Sequence, residues 1–229
     1  IAGLSTIIGT FIIFVRTNNK NKIIASSLAF ASAVMIAISI TDLIPESVKL
    51  LSYNYNAFST CFLCFLFVVL GILLSMIIDY YLPSNKENGL YRVGMLAMLA
   101  IIFHNIPEGI ATFVATSSDV DLGLSLTIAI ALHNIPEGIA ISIPIYYATK
   151  SKLLAFKYTL ISALSEPFGA VITYLFLQDF ITNNIMGYLF SIIAGIMIQI
   201  AFCELLKTAK GYNVNKTVKL FFLIGLLFS

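Results

Sequence analysis

Apolar runs recur along this chain from one end to the other, and they leave one kind of fold open. They cover Ile1–Val15, Ile23–Ile44, Phe58–Leu82, Tyr91–Ala115, Leu122–Tyr147, Leu153–Leu177, Ile181–Leu206 and Val218–Ser229. A membrane-spanning helix needs about 20 mostly apolar residues. Inside lipid, every backbone N–H and C=O must find its partner within the segment, which a helix provides. The first and last runs are shorter than that and read as spans clipped within a helix. Strand-like alternation is absent, which sets a β-barrel aside. Only 10% of the 229 residues are charged, against about 25% in soluble domains. The expectation is an all-α integral membrane protein with eight transmembrane helices, folded as a single transmembrane domain over residues 1–229. The connections are short and carry breakers at Asn18-Asn19, Pro83-Ser84-Asn85, Ser117-Ser118, Asn183-Asn184 and Gly211. They leave no room for a soluble domain, and nothing in the chain suggests nucleic-acid binding.

Charge placement sets the orientation. Arg16, Lys20 and Lys22 follow the first run; Lys86 and Arg92 lie between the third and fourth. Lys150, Lys152 and Lys157 lie between the fifth and sixth, and Lys207, Lys210, Lys216 and Lys219 between the seventh and eighth. Twelve of the thirteen basic residues therefore sit on alternate loops, and only Lys49 falls on the other set. The positive-inside rule assigns those four loops to the cytoplasm and both termini to the outside of a multi-pass cell-membrane protein, with a bacterial plasma membrane the expected location. The outer loops and helix ends carry Asp42, Glu46, Asp119, Asp121 and Asp179. An acidic outer face attracts cations.

The octapeptide His-Asn-Ile-Pro-Glu-Gly-Ile-Ala occurs twice, at His104–Ala111 and His133–Ala140, and holds both histidines of the chain. His104 lies about twelve residues into its run, or ~18 Å at the helical rise, and His133 about eleven residues, or ~16 Å. Half the hydrocarbon thickness is ~15 Å, so both copies fall near the midplane on antiparallel helices. Inverted polar motifs at that depth are a transporter signature. His104 and Glu108 are spaced i, i+4 and share a helix face, as do His133 and Glu137. Pro107 and Pro136 cannot bond the carbonyls four residues back, which predicts kinks. Gly109 and Gly138 leave room for a neighbouring helix. Asn105 and Asn134 sit one residue round and point ligands to an adjacent position. The competing explanation for one such pair is a polar bond that holds helices together; two identical inverted copies argue for function. Imidazole, carboxylate and amide together suit borderline divalent metals.

Further acids lie in apolar surroundings. Glu166 is near the middle of the sixth run and is followed by Pro167; an intramembrane carboxylate is a functional candidate by default. Met35 to Asp42 and Met197 to Glu204 are both seven apart, with Leu43 matching Leu205. The second and seventh runs thus read as a second inverted pair, with Asp42 as an entrance and Glu204 as an exit carboxylate, or as acids that reach the interface. Asp79 reads as interfacial. Cys61 and Cys64 form a C-x-x-C without a second pair, and read as small apolar residues on one helix face.

The doubled His-Asn-Ile-Pro-Glu-Gly together with the later Glu-Pro resembles the ZIP (Zrt/Irt-like) divalent metal transporters, most closely the bacterial ZupT-type, broad-specificity branch. The resemblance spans the chain and implies eight helices with inverted repeats, helices 1–3 against 6–8 and helix 4 against 5. It implies a binuclear site at mid-membrane. His104, Glu108, His133 and Glu137 would form the first position, and Asn105, Asn134 and Glu166 the second, with Glu108 and Glu137 bridging. Met35 falls where some bacterial members place a thioether ligand. Some members carry Gln-Asp where this chain has His133-Asn134, so the second position has one negative charge fewer here. The loop Pro83–Leu90 lacks the histidine-rich insertion of many members.

The expected function is uptake of zinc or another divalent transition metal, with iron, manganese, cobalt and cadmium as candidates. The metal is substrate, and no organic cofactor is expected. The expected partners are the metal ion and the lipid bilayer, and a homodimer is compatible with the sequence. An intramembrane zinc-dependent hydrolase is the alternative, although the H-E-x-x-H spacing is absent; an ion channel would share the same site.

Overall fold

The computed structural model describes residues 2–15, 17–82, 89–177 and 180–228. Arg16, Asp179 and most of the predicted Pro83–Leu90 loop, with Lys86, lie outside them. Among the described residues there is helix and no strand. The helices are α1 (Ala2–Phe14), α2 (Lys20–Ser52), α3 (Ala57–Tyr81), α4 (Gly89–Ser118), α5 (Val120–Thr149), α6 (Lys152–Leu177), α7 (Asn183–Gly211) and α8 (Asn215–Phe228). Of these, α2 to α7 are long and apolar enough to cross a membrane, which matches an integral membrane all-α protein.

Side-chain caps start several of them, as the helix-end N–H groups require. Asn19 accepts from Lys22 N, Asn56 from Ser59 N, Ser151 from Leu154 N, and Thr182 from Ile185 N. Three expected breakers fall elsewhere: Ser117 and Ser118 are the last residues of α4, and Asp119 alone separates it from α5. Asn183 and Asn184 lie inside the first turn of α7, because Thr182 takes the cap. Gly211 closes the helical part of α7, and the left-handed residue that reverses the chain is Asn213, with φ 58°.

α2 runs two turns past the expected end at Ile44, through Pro45. A π-helical stretch at Ser39–Leu43 makes this possible, with Ile44 N–H bonding Ser39 O five residues back. The wider register steps over the N–H that proline lacks. α7 carries a matching π-helical stretch at Ala201–Leu206. α6 is interrupted at Leu164, between Lys152–Ala163 and Ser165–Ile172. Pro167 has no N–H for the carbonyl of Ala163, so the first segment ends there. In contrast, α4 and α5 stay helical through Pro107 and Pro136.

α4 packs along α5; α1 lies on α5 and α6 on α4; α3 lies on α7 and α8 on α2; and α2 contacts α7. The apolar core runs through α2, α4, α5 and α7, with Leu28, Met35, Ile101, Ile141 and Met197 almost wholly buried. α3 is apolar on every side, and Phe58, Phe62 and Phe65 face outward. That is unfavourable in water and appropriate in lipid. Serines stitch the interior: Ser47 Oγ bonds Gly187 O at 2.7 Å, Ser32 Oγ bonds Ala201 O at 2.9 Å, and Ser75 Oγ bonds Gln199 at 2.8 Å. Such bonds hold membrane helices together where apolar burial alone gives little preference. Cys61 and Cys64 do not share an environment: Cys61 is exposed, whereas Cys64 is buried and accepts from Ser191 Oγ at 3.4 Å.

Candidate metal centre

The two octapeptides meet where α4 and α5 pack. His133 Nε2 lies 2.8 Å from Glu108 Oε1, and His104 Nε2 lies 3.1 Å from the same oxygen. His104 Nε2 is also 3.3 Å from Glu137 Oε1. The imidazole rings are 6.1 Å apart, centroid to centroid. One carboxylate oxygen thus takes both histidines, one from each helix. The i, i+4 spacing puts His104 above Glu108 on α4, and the helix packing brings His133 to the same point.

Ligand atoms around a tetrahedral ion with bonds of 2.0–2.2 Å stand about 3.3 Å apart. The two His104 separations, 3.1 and 3.3 Å, are close to that value, while the 2.8 Å between His133 and Glu108 is that of a hydrogen bond. The two approaches of His104 lack hydrogen-bond direction, and its Nε2 has no hydrogen-bond partner. Seven of the thirteen buried side-chain N or O atoms without a hydrogen-bond partner, among the described residues, belong to this group. They are both ring nitrogens of His104, Asn105 Oδ1, Glu108 Oε2, Asn134 Oδ1 and both carboxylate oxygens of Glu137. Buried polar atoms are normally paired, since leaving one bare costs about 1–3 kcal/mol. Their concentration here marks a place built to hold something that takes lone pairs, which a cation does.

The asparagine amides donate to the flanking helices. Asn105 Nδ2 donates to Ser162 O on α6, and Asn134 Nδ2 to Ala2 O on α1, both at 3.2 Å. Asn134 also donates to Glu166 Oε2 at 3.0 Å. Glu108, Glu137 and Glu166 lie within one another's electrostatic reach. Glu166 is placed by two close approaches. A Cβ on Gly109 would collide with the carbonyl oxygen of Glu166, so only glycine lets α6 come this near to α4. A Cβ on Gly3 of α1 would meet Ala163 O, at the break in α6. Gly138 does the same for α1, where a Cβ would strike Thr6 O.

Three other predicted residues, Met35, Asp42 and Glu204, are outside the His104–Glu108–His133 group. Met35 is buried in the apolar core of α2. Asp42 sits on the π-helical stretch of α2, exposed, with its carboxylate held by Thr41 Oγ1 at 2.9 Å. His133 is the histidine of the pair that retains some exposure, 16% of its side chain against none for His104. Glu204 sits on the π-helical stretch of α7 and lines a cavity of about 860 Å³ with Asp79, Arg92, Lys207 and Lys210. Arg92 bridges this cavity: its Nη2 pairs with Asp79 at 2.5 Å, and its Nη1 stands 4.0 Å from Glu204. Sequence reading missed this bridge. The signal was an arginine only three residues into an apolar helix, opposite two acids whose span ends share its side of the membrane.

A bundle of apolar helices with a buried His–Glu group at its centre defines a membrane protein that handles metal cations. The comparisons with known proteins narrow this: the chain belongs to the ZIP family, whose model, described as ZIP zinc transporter, matches residues 84–227. It is 40% identical over 227 residues to the zinc transporter ZupT of Streptococcus mutans, covering 93% of this chain and 86% of that protein. The zinc transporter ZupT of Stenotrophomonas maltophilia R551-3 is 37% identical over 228 residues, 92% of this chain and 84% of that one. The corresponding figures for the zinc transporter ZupT of Oceanobacillus iheyensis are 36%, 231 residues, 93% and 86%. The family and the six apolar helices together place the chain in the membrane as a multi-pass protein.

Proposed function

We propose that this chain carries divalent transition-metal ions, zinc foremost, into the cytoplasm. The observation that carries the reading is the convergence of His104 and His133 on one oxygen of Glu108, with Glu137 beside them. The similar zinc transporters ZupT support zinc as the cargo. In this reading His104, Glu108, His133 and Glu137 hold one ion. Asn105, Asn134 and Glu166 hold a second, with Glu108 and Glu137 shared. Met35 supplies a thioether from α2. Every ligand comes from one chain, so the site does not depend on a second copy. Family membership sets the hydrolase reading aside, since these are transporters.

The reading includes eight spans, inverted repeats and both termini outside. The packing supports the repeats: α1 on α5 answers α6 on α4, and α3 on α7 answers α8 on α2. The two asparagine bonds at 3.2 Å and the π-helical stretches around Asp42 and Glu204 support the same pairing. Asp42 would gather the ion on the outer side, near the part-exposed His133. Glu204 would receive it inside, with Arg92 as the charge the ion displaces there. Rocking of one helix group against another would change access. A negative interior favours entry by about 2.3 kcal/mol per charge per 100 mV, so coupling to another gradient is not required.

The test is zinc entry into proteoliposomes that enclose a zinc-sensing dye, at a set potential. His104→Ala and Glu137→Ala should each lose nearly all flux, with normal gel filtration. Wild-type flux in both would overturn the site.

A further inference from the structure

Two cavities meet at the end of the bundle where α1, α2, α5 and α6 come together, away from the metal centre. The first, about 300 Å³, is polar and is walled by Lys20, Lys150 and Lys152 with Thr17, Tyr146 and Tyr147. Among the described residues no carboxylate lines it. Lys20 and Lys152 are the first residues of α2 and α6, the helix ends that the dipole makes favourable to negative charge. The second, about 330 Å³, is almost purely apolar and is walled by Ile7, Phe11, Phe14, Leu153 and Phe156. The two share Ile13, Phe14 and Lys152. At the junction Lys152 Nζ sits 4.2 Å from the centroid of the Phe14 ring. Lys150 is in the left-handed region, φ 59°, and its Nζ donates to Tyr147 O at 2.8 Å, which holds its charge at the rim of the polar cavity.

A basic cup joined to an apolar crevice, on the flank of a membrane bundle, matches one ligand chemistry. We infer that this pair of cavities binds an anionic phospholipid, its phosphate among Lys20, Lys150 and Lys152 and one acyl chain in the crevice between α1 and α6. The charge is complementary, since three lysines line the cup and no acid does among the described residues. The acyl chain is placed by the crevice, whose lining extends from Lys152 and Phe14 to Ile7 of α1. A free phosphate would use the cup alone and leave the crevice without purpose. A zwitterionic lipid would bring a cation into a site already positive. Basic pockets between helices on the cytoplasmic side are where such headgroups bind. The leaflet follows from the topology proposed above; the binding itself depends on neither that topology nor transport.

Native mass spectrometry of the detergent-solubilised full chain tests this. With equal phosphatidylglycerol and phosphatidylcholine of the same chains, the first lipid bound should be phosphatidylglycerol by about tenfold. The triple variant Lys20→Gln, Lys150→Gln, Lys152→Gln should lose that preference. A control triple, Lys207→Gln, Lys210→Gln, Lys216→Gln, should keep it. Glycerol 3-phosphate in large excess should not displace the lipid. Should the first triple fail to fold by gel filtration, Lys152→Gln alone should still lower the preference by about threefold. Equal binding of the two lipids, equal loss in both triples, an undiminished preference in Lys152→Gln, or displacement by glycerol 3-phosphate would each overturn the site. Zinc flux measured on the same preparations is a separate readout, so loss of transport alone leaves the lipid result standing.

Discussion

Glu108 is the residue on which the centre turns. Its Oε1 faces both histidines, at 2.8 and 3.1 Å, so its loss removes the shared acceptor and leaves two imidazoles facing each other. Glu108→Gln keeps the shape and removes the charge; zinc flux should fall at least about tenfold, as expected when a close ligand to a divalent ion loses its charge. Isothermal zinc titration in detergent would show the matching loss of affinity. Asn134 is the residue where this chain has an amide and some relatives of its family type have a carboxylate. Its Nδ2 is already committed to Ala2 O and Glu166. Asn134→Asp would place a carboxylate oxygen 3.0 Å from that of Glu166, where the amide donor now stands. The expected outcome is tighter binding of a second ion and a changed order of metals in competition flux assays. An unchanged order would show that this position plays no part in selectivity.

At the scale of elements, the helix contacts depend on absent side chains. Gly109→Ala would drive a methyl group into the Glu166 carbonyl, and Gly138→Ala into that of Thr6. Backbone cannot yield as a flexible side chain does, so each should cost about 1–3 kcal/mol, read as a lower midpoint in thermal unfolding. Gly109→Ala should also impair transport more than Gly138→Ala, because only it displaces Glu166. Asn213 reverses the chain between α7 and α8 in the left-handed region. Asn213→Gly should be neutral or slightly stabilising, whereas Asn213→Ala should cost about 1 kcal/mol by the same thermal measurement. The sequence pattern of apolar runs located these elements well, since length and composition decide a span. It did not locate the extension of α2 through Pro45, the break at Leu164 or the left-handed Asn213. Each depends on how a local backbone clash is resolved, and the same proline can be absorbed by a π-helical stretch, as at Pro45, or end a helical segment, as at Pro167.

Across the whole molecule, the charges of three helices meet in the cavity at Arg92. Arg92→Gln would leave Asp79 and Glu204 as neighbouring acids without their shared cation. In the proposed mechanism the metal leaves past this point, so the variant should hold metal more strongly there and slow its release; flux should drop while zinc affinity rises. Orientation has its own check, since a single cysteine at Lys216 should react with a membrane-impermeant reagent only from the cytoplasmic side. The membrane class, the helical fold, the antiparallel pair of octapeptides and the family were all readable from residue order, because the apolar period, the basic bias and the motif are properties of the chain itself. The tertiary structure alone decided that Glu108 Oε1 takes both histidines, that Asn105 and Asn134 both donate to α6 while Asn134 also reaches α1, that Arg92 joins Asp79 and Glu204, and that Lys20 shares one cup with Lys150 and Lys152. Those are contacts between residues far apart in sequence, set by how closely glycine and bulky side chains let the helices approach, and no spacing along the chain carries that distance.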